Sequence, residues 1–324
     1  MQIGIELAID QGELGQRKFM NLQRTIQKAV TLQGIGLHYG KEAGVTLKPA
    51  GVNQGILFQR VDLPGSLPIE ANFRNVVNTQ MATTLGKGTT TVSTIEHLMA
   101  ALHGFGIDNL LVEVQGPEVP ILDGSSAPFC VALKSAGVQL QSAPRTALAI
   151  KRRVEVKLAE KWAVVEPSNR LEIHASIDWD HPSIGFQEFH YIDGKTSFDE
   201  ISSARTFGFL RDVEALKKMG LVLGGSLANA VVLDSALVLN PEGLRYPDEF
   251  VRHKALDALG DFKLAGIQVH GSFKLHRAGH DLHRSILAEV FKDPANYEII
   301  EPTTNTGSES LSPSKVAIAT RVAV

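Results

Sequence analysis

The chain has 324 residues, 44% of them hydrophobic, enough to bury a sizeable core and more naturally two domains than one. Its 32 basic and 35 acidic residues are interspersed and leave a formal charge of -3, so no basic stripe points to nucleic acid, while local cations remain able to hold a phosphorylated small molecule. Cys130 stands alone, which excludes an intramolecular disulfide and a Cys-rich zinc knot and suits a reducing cytosol.

Residues 1–20 are polar and weakly patterned and read as an N-terminal extension. Glu6, Asp10 and Glu13 precede its first basic residue, the opposite of a signal peptide's basic start. The folded part is expected as two α+β domains of similar design, residues 21–144 and 145–300, with residues 301–324 a flexible tail rich in Thr, Ser, Asn and Pro. The most apolar window, Leu221 to Leu233, is interrupted by Gly224, Gly225, Ser226 and Asn229 and is too short to cross a bilayer. A cytoplasmic monomer without stable membrane insertion is the expectation.

In chain order, strand patterns at Gly44–Lys48 and Asn109–Val114 flank a helix expected over Ser93–His103. There STIEHLMAAL places Val92, Ile95, Met99 and Leu102 in an apolar stripe, and Ser93 and Glu96 fit a capping box. Glu96 has two readings: a cap, or a carboxylate base beside a metal ligand, His97.

After Pro144, strands are expected at Val154–Lys157, Leu171–Ile177 and Ile267–Leu275, with helices near Phe209–Lys218 and Asp248–Phe262. His174, Asp178, Asp180 and His181 mimic a metal site but straddle a strand and the Pro182 turn, and they read as structural. Thr206 and Phe207 precede a helix, where a hydroxyl and backbone N–H groups serve either an oxyanion or an ordinary helix entry.

In DEFVRHKALDALGDF, spacing i, i+4 sets His253 and Asp257 on one helical face with Asp261 a turn further on. Either they ligate a metal or they form a solvated charged face. His280 opens another helix, where Asp261 can favour its protonated form; His276 and His283 read as surface residues. G-x-S-x-G, a complete P-loop and H-E-x-x-H are all missing, and Gly34, Gly36 and Gly40 form only a loose glycine cluster.

Taken together, STIEHLMAAL, SARTFGFLRDVE, GLVLGGSLANAVV, LRYPDEFVRHKALDALGDF and RAGHDLH resemble, in order and spacing, the UDP-3-O-acyl-N-acetylglucosamine deacetylases. GIGLHYGKEAGVTLKPA and GIDNLLVEVQGPEVPILDGSSAPF look like the same family, and the resemblance covers roughly Leu22 to Phe291. It implies helices sandwiched between two sheet layers, an active site between the domains and an apolar passage for an acyl chain. It further implies one zinc per chain held by His97, His253 and Asp257, a set that leaves a position open for water. Glu96 is then the base, Thr206 an oxyanion donor, and His280, oriented by Asp261, the acid that protonates the leaving amine.

Lys254, Phe207, Phe209 and Arg277 are the implied substrate contacts, and the small-molecule partner is the UDP-linked acylated amino sugar of lipid A synthesis. Two departures stand out: Arg277 where Lys is common, and GHDLH where GHALN is common, which sets Asp281 and His283 close to His280. The alternatives are a noncatalytic paralogue that binds a nucleotide sugar or a protein, and a zinc amidase acting on another acylated amino sugar.

Overall fold

The computed structural model describes residues 22–301, so the expected extension at 1–20 and nearly all of the expected tail lie outside the described residues. The first segment runs through strands β1 (Leu22–Ile26), β2 (Val30–Ile35), β3 (Glu42–Pro49), β4 (Ile56–Arg60), β5 (Ile69–Glu70), β6 (Val76–Asn78), β7 (Thr84–Lys87) and β8 (Thr90–Val92). Helix α1 (Glu96–Gly104), strand β9 (Leu110–Gln115), helix α2 (Ala127–Ala136) and strand β10 (Val138–Pro144) complete it. Its main sheet has the order β2-β3-β9-β4-β5, with β4 parallel to β9 and the other neighbours antiparallel. Along β9 the strand period shows directly: Leu110, Val112 and Val114 are buried, while Leu111 and Glu113 are half-buried on the other face.

The second segment contains β11 (Ala147–Ile150), β12 (Val154–Leu158), β13 (Lys161–Glu166), β14 (Leu171–Trp179), β15 (Gly185–Ile192) and helix α3 (Asp199–Ser202). It continues with β16 (Phe207–Phe209), α4 (Leu210–Lys218), β17 (Val231–Leu233), α5 (Glu249–Phe262), β18 (Gln268–His276), α6 (His280–Lys292) and β19 (Tyr297–Ile300). Seven of these strands form one sheet around β18, which pairs with β13, β14 and β11. Among the described residues no sheet mixes strands from before Pro144 with strands from after Ala147.

The fold is α+β, and helices α1, α2, α5 and α6 lie between the two large sheets. Helix α2 rests on β2, α1 packs across α5, α5 covers β14 and β15, and α6 covers β12 and β13. One continuous apolar core results, from Phe58 and Val112 through Leu98 and Leu256 to Ile173 and Phe273. No helix of the described residues is long and apolar enough to cross a membrane.

Two local expectations are corrected. The capping box does not form: α1 begins at Glu96, and Ser93 pairs its hydroxyl with that of Thr84 at 2.9 Å instead. Between them Thr94 takes a left-handed backbone (φ 59), unfavourable for a β-branched residue, with its hydroxyl donated to the buried Glu118 carboxylate at 3.1 Å. The helix expected from Phe209 starts one residue later, because Phe207–Phe209 pair in parallel with Val231–Leu233 before the chain turns.

The contact between α1 and α5 rests on glycine. A Cβ on Gly260 would overlap the carbonyl oxygen of Glu96 and stand 3.1 Å from the amide nitrogen of Ala100. The two helix backbones approach that closely only because the position carries no side chain. Val92, Ile95, Met99 and Leu102 are fully buried, as the stripe requires, but so is every residue from Glu96 to Leu102. A helix buried on all sides brings its polar residues inside as well, and these build the site.

Candidate metal centre

His253 and Asp257 lie one turn apart on α5, with His253 Nε2 3.3 Å from Asp257 Oδ1. From the facing α1, His97 brings its Nε2 within 3.6 Å of the same oxygen. The two imidazoles meet edge to face, ring centroids 5.0 Å apart, and all three side chains are buried. One potential ligand atom from each lies within 4.8 Å of the others.

Neighbouring groups prepare two of the three. His253 Nδ1 faces the carbonyl of Ala204 at 3.1 Å; donation there leaves Nε2 bare and directed at the cluster. Burial pushes the His253 imidazole down to about 3, so it is neutral at physiological pH. Burial opposes ionisation of Asp257, but His253 and Lys254 hold it well below the usual carboxylate range, and Lys254 Nζ bonds Oδ2 at 3.0 Å. Oδ1 has no hydrogen-bond partner although it is fully buried. An unsatisfied buried carboxylate oxygen costs on the order of 1–3 kcal/mol or more. Two imidazole nitrogens and one orphaned anionic oxygen therefore fit a divalent cation.

A second layer adjoins the first through Thr83, a buried residue whose backbone N–H donates to Glu96 Oε2 at 3.1 Å and whose hydroxyl donates to Asp261 Oδ1 at 2.6 Å. Burial raises the Glu96 carboxyl, against the opposing pull of His280 and His97. Asp261 Oδ2 takes the Nδ1 of both His280 (2.7 Å) and His283 (2.8 Å). Burial works against charge on His280, but the Asp261 carboxylate beside it lifts the imidazole to about 10. The arrangement thus sets one carboxylate, Glu96, beside the histidine–aspartate group and holds an imidazolium, His280, on a second carboxylate, Asp261.

A family model described as UDP-3-O-acyl N-acetylglycosamine deacetylase matches residues 23–292. A UDP-3-O-acyl-N-acetylglucosamine deacetylase of Myxococcus xanthus is 51% identical over 279 residues, covering 86% of this chain and 89% of the relative. A protein of the same name from a Geobacter species is 48% identical over 285 residues, 88% of this chain and 93% of that one. One from Campylobacter hominis is 46% identical over 279 residues, 86% and 94% of the respective chains. The chain belongs to the UDP-3-O-acyl-N-acetylglucosamine deacetylase family.

The deacetylase-family residues expected to touch substrate are placed unequally. Phe207 stands edge-on to Phe250 (5.0 Å) and to His253 (6.3 Å), and Lys254 Nζ lies 5.5 Å from the Phe207 ring centre. Thr206 is half-buried two residues beyond Ala204 and is tied into the same wall, its N–H donating to Gly124 and its carbonyl accepting from Val231. Phe209 is buried, stacked on Trp179 at 5.2 Å with the Arg211 guanidinium at 4.8 Å, and so backs that wall. Arg277 reaches Glu160 at 3.4 Å, and no bond joins it to the histidine–aspartate group.

Several residues escaped sequence reasoning. His283, expected at the surface, is 1% exposed and holds Asp261, because α6 turns this face inward against Phe262 (5.4 Å). Thr83 carried no motif at all. His38 sits in the glycine-rich GIGLHYG stretch; it is buried, neither ring nitrogen has a partner, and burial followed by the charge of His280 depresses it to about 4. The cluster of His174, Asp178, Asp180 and His181 does not assemble: His181 turns inward to the Asp234 carbonyl (3.0 Å), while His174 faces outward and stacks on His190.

Proposed function

We propose that this chain is a zinc-dependent deacetylase that hydrolyses the N-acetyl group of UDP-3-O-acyl-N-acetylglucosamine, releasing acetate and UDP-3-O-acyl-glucosamine for lipid A synthesis. The observation that carries this reading is the convergence of His97, His253 and Asp257 on an orphaned buried oxygen, next to Glu96 and within one hydrogen-bond chain of His280. His97, His253 and Asp257 would hold the zinc, which when bound would supply Lewis-acid polarisation of an amide carbonyl and lower the pKa of water.

The chain's own residues then divide the proton work. Glu96, its carboxyl basicity raised by burial, takes a proton from the attacking water. The Thr206 hydroxyl donates to the oxygen on which negative charge develops. The His280 Nε2 delivers the proton that the departing amine needs before the C–N bond breaks, and Asp261 keeps that imidazole charged and oriented. Lys254 and Phe207 hold the nucleotide sugar by charge and ring contact, with Arg277 a more distant phosphate contact.

The excursion from β16 through α4 to β17 buries no residue of α4 and exposes Leu210, Met219, Leu223 and Leu227, an apolar surface suited to the acyl chain. Residues up to 144 and from 145 onward act as two domains of a cytoplasmic bacterial monomer, each giving part of the site. A deacetylation assay on the UDP-linked substrate with and without chelator, alongside elemental analysis, tests the reading. One zinc per chain and chelator-sensitive release of acetate are expected; activity indifferent to chelation overturns it.

A further inference from the structure

We propose that Glu172, His174 and His190 form a second, surface site for one divalent transition-metal cation, on the outer face of the large sheet and independent of the buried centre. In β14, Leu171, Ile173 and Ala175 are buried, so the strand period turns Glu172 and His174 outward together. β15 runs antiparallel beside it with His174 directly opposite His190. The Nε2 atoms of both histidines lie 3.9 Å from Glu172 Oε2, and one donor atom from each of the three residues falls within 4.8 Å of the others.

The histidine rings stack face to face with centroids 3.4 Å apart. Lys274 lies opposite His174 on β18 but is engaged by Glu166 at 2.8 Å, and the Ser168 hydroxyl donates to Glu172 Oε1 at 3.1 Å, which leaves Oε2 to the imidazoles. Closing on a tetrahedral ion draws the donors to roughly 3.3 Å of one another, with metal–nitrogen distances of about 2.0–2.1 Å. These half-exposed side chains reach that by rotation without moving the sheet. Two imidazoles and one carboxylate favour zinc, nickel or copper over magnesium or calcium. Because β15 pairs only with β14 among the described residues, a bridging ion also pins an edge strand of this sheet.

The test uses the full chain with its central site already loaded, titrated with zinc chloride alone by calorimetry and by equilibrium dialysis. Wild type is expected to take up one further equivalent, with micromolar affinity. The His174→Ala/His190→Ala variant is expected to lose at least about tenfold of that affinity, as loss of metal ligation does. Zinc should also shield His174 and His190 from diethylpyrocarbonate, read residue by residue by mass spectrometry, and raise the melting temperature of wild type but not of the variant. Deacetylase turnover should be equal in the two proteins, so failure here leaves the central reading untouched. No further equivalent in wild type, an equal one in the variant, or unprotected histidines each overturn the proposal.

Discussion

Asp261 accepts from Thr83, His280 and His283, and this one carboxylate fixes the charge of the proposed acid. The sign of the pH dependence follows. His280 is raised from an ordinary 6.5 to about 10, so the protonated acid dominates at neutral pH and turnover falls as pH climbs through the folded value. A dication in the neighbouring centre repels the imidazolium and sets that alkaline limb below 10. The same coupling contributes stability that is complete below the unfolded value and is lost as pH rises through the folded one. Asp261→Asn should move the alkaline limb of kcat to lower pH and slow turnover at pH 7; an unmoved limb in an active variant reassigns the acid. Glu96→Ala should keep zinc while turnover drops by about two to four orders of magnitude. Its stability should fall by roughly 1–3 kcal/mol through the stranded Thr83 N–H, not through a lost cap. Metal content, melting and rate measured on that one variant separate the two effects. At this scale, residues one turn apart on a helix, such as His253 and Asp257, were legible. Thr83 was not, because it meets Asp261 across 178 positions of chain.

At the scale of elements, the distance between α1 and α5 decides whether His97 meets His253 and Asp257. Gly260 sits at that crossing, and two effects of Gly260→Ala oppose each other. Alanine gains about 0.5–1 kcal/mol in a helix interior, whereas overpacking a dense contact costs about 1–3 kcal/mol. Here the added carbon overlaps the Glu96 backbone, which cannot rotate away, so the second effect wins. The variant should melt lower, bind zinc more weakly and turn over more slowly, since displacing α1 shifts Glu96 and His97 together. Raised stability with unchanged zinc affinity would show that the helices tolerate separation. The apolar stripe of α1 and the alternation in β14 were legible because each is a local period. The false capping box and the unforeseen β16 share one cause: Ser93 and Phe207 take their partners from Thr84 and Val231, and local pattern is blind to such pairings.

For the molecule as a whole, the proposed ligands come from both sides of the 144–145 junction, so metal binding in that site would couple to the joining of the two segments. Strand content was readable from apolar runs, but the placing of β18 against β11, some 120 positions away, depends on long-range pairing that composition does not encode. Without a cation, Asp257 Oδ1 stays buried and unpartnered between α1 and α5, and that deficit weakens the contact. A ligand that binds only the native state stabilises it by RT ln(1 + [L]/Kd), about 2.7 kcal/mol at a hundredfold excess over Kd. Chelation should therefore lower the melting temperature of wild type by several degrees and speed hydrogen exchange along α1 and α5 more than in the centres of the sheets. With no zinc added beyond what the central site carries, His253→Ala should melt lower than the zinc-loaded wild type, and chelator should change it little further, because the central linkage is already gone. Scanning calorimetry of the two proteins with and without chelator measures this directly. An equal chelator-induced fall in both would mean that the stabilising ion binds elsewhere, and the surface histidine pair would be the first place to look.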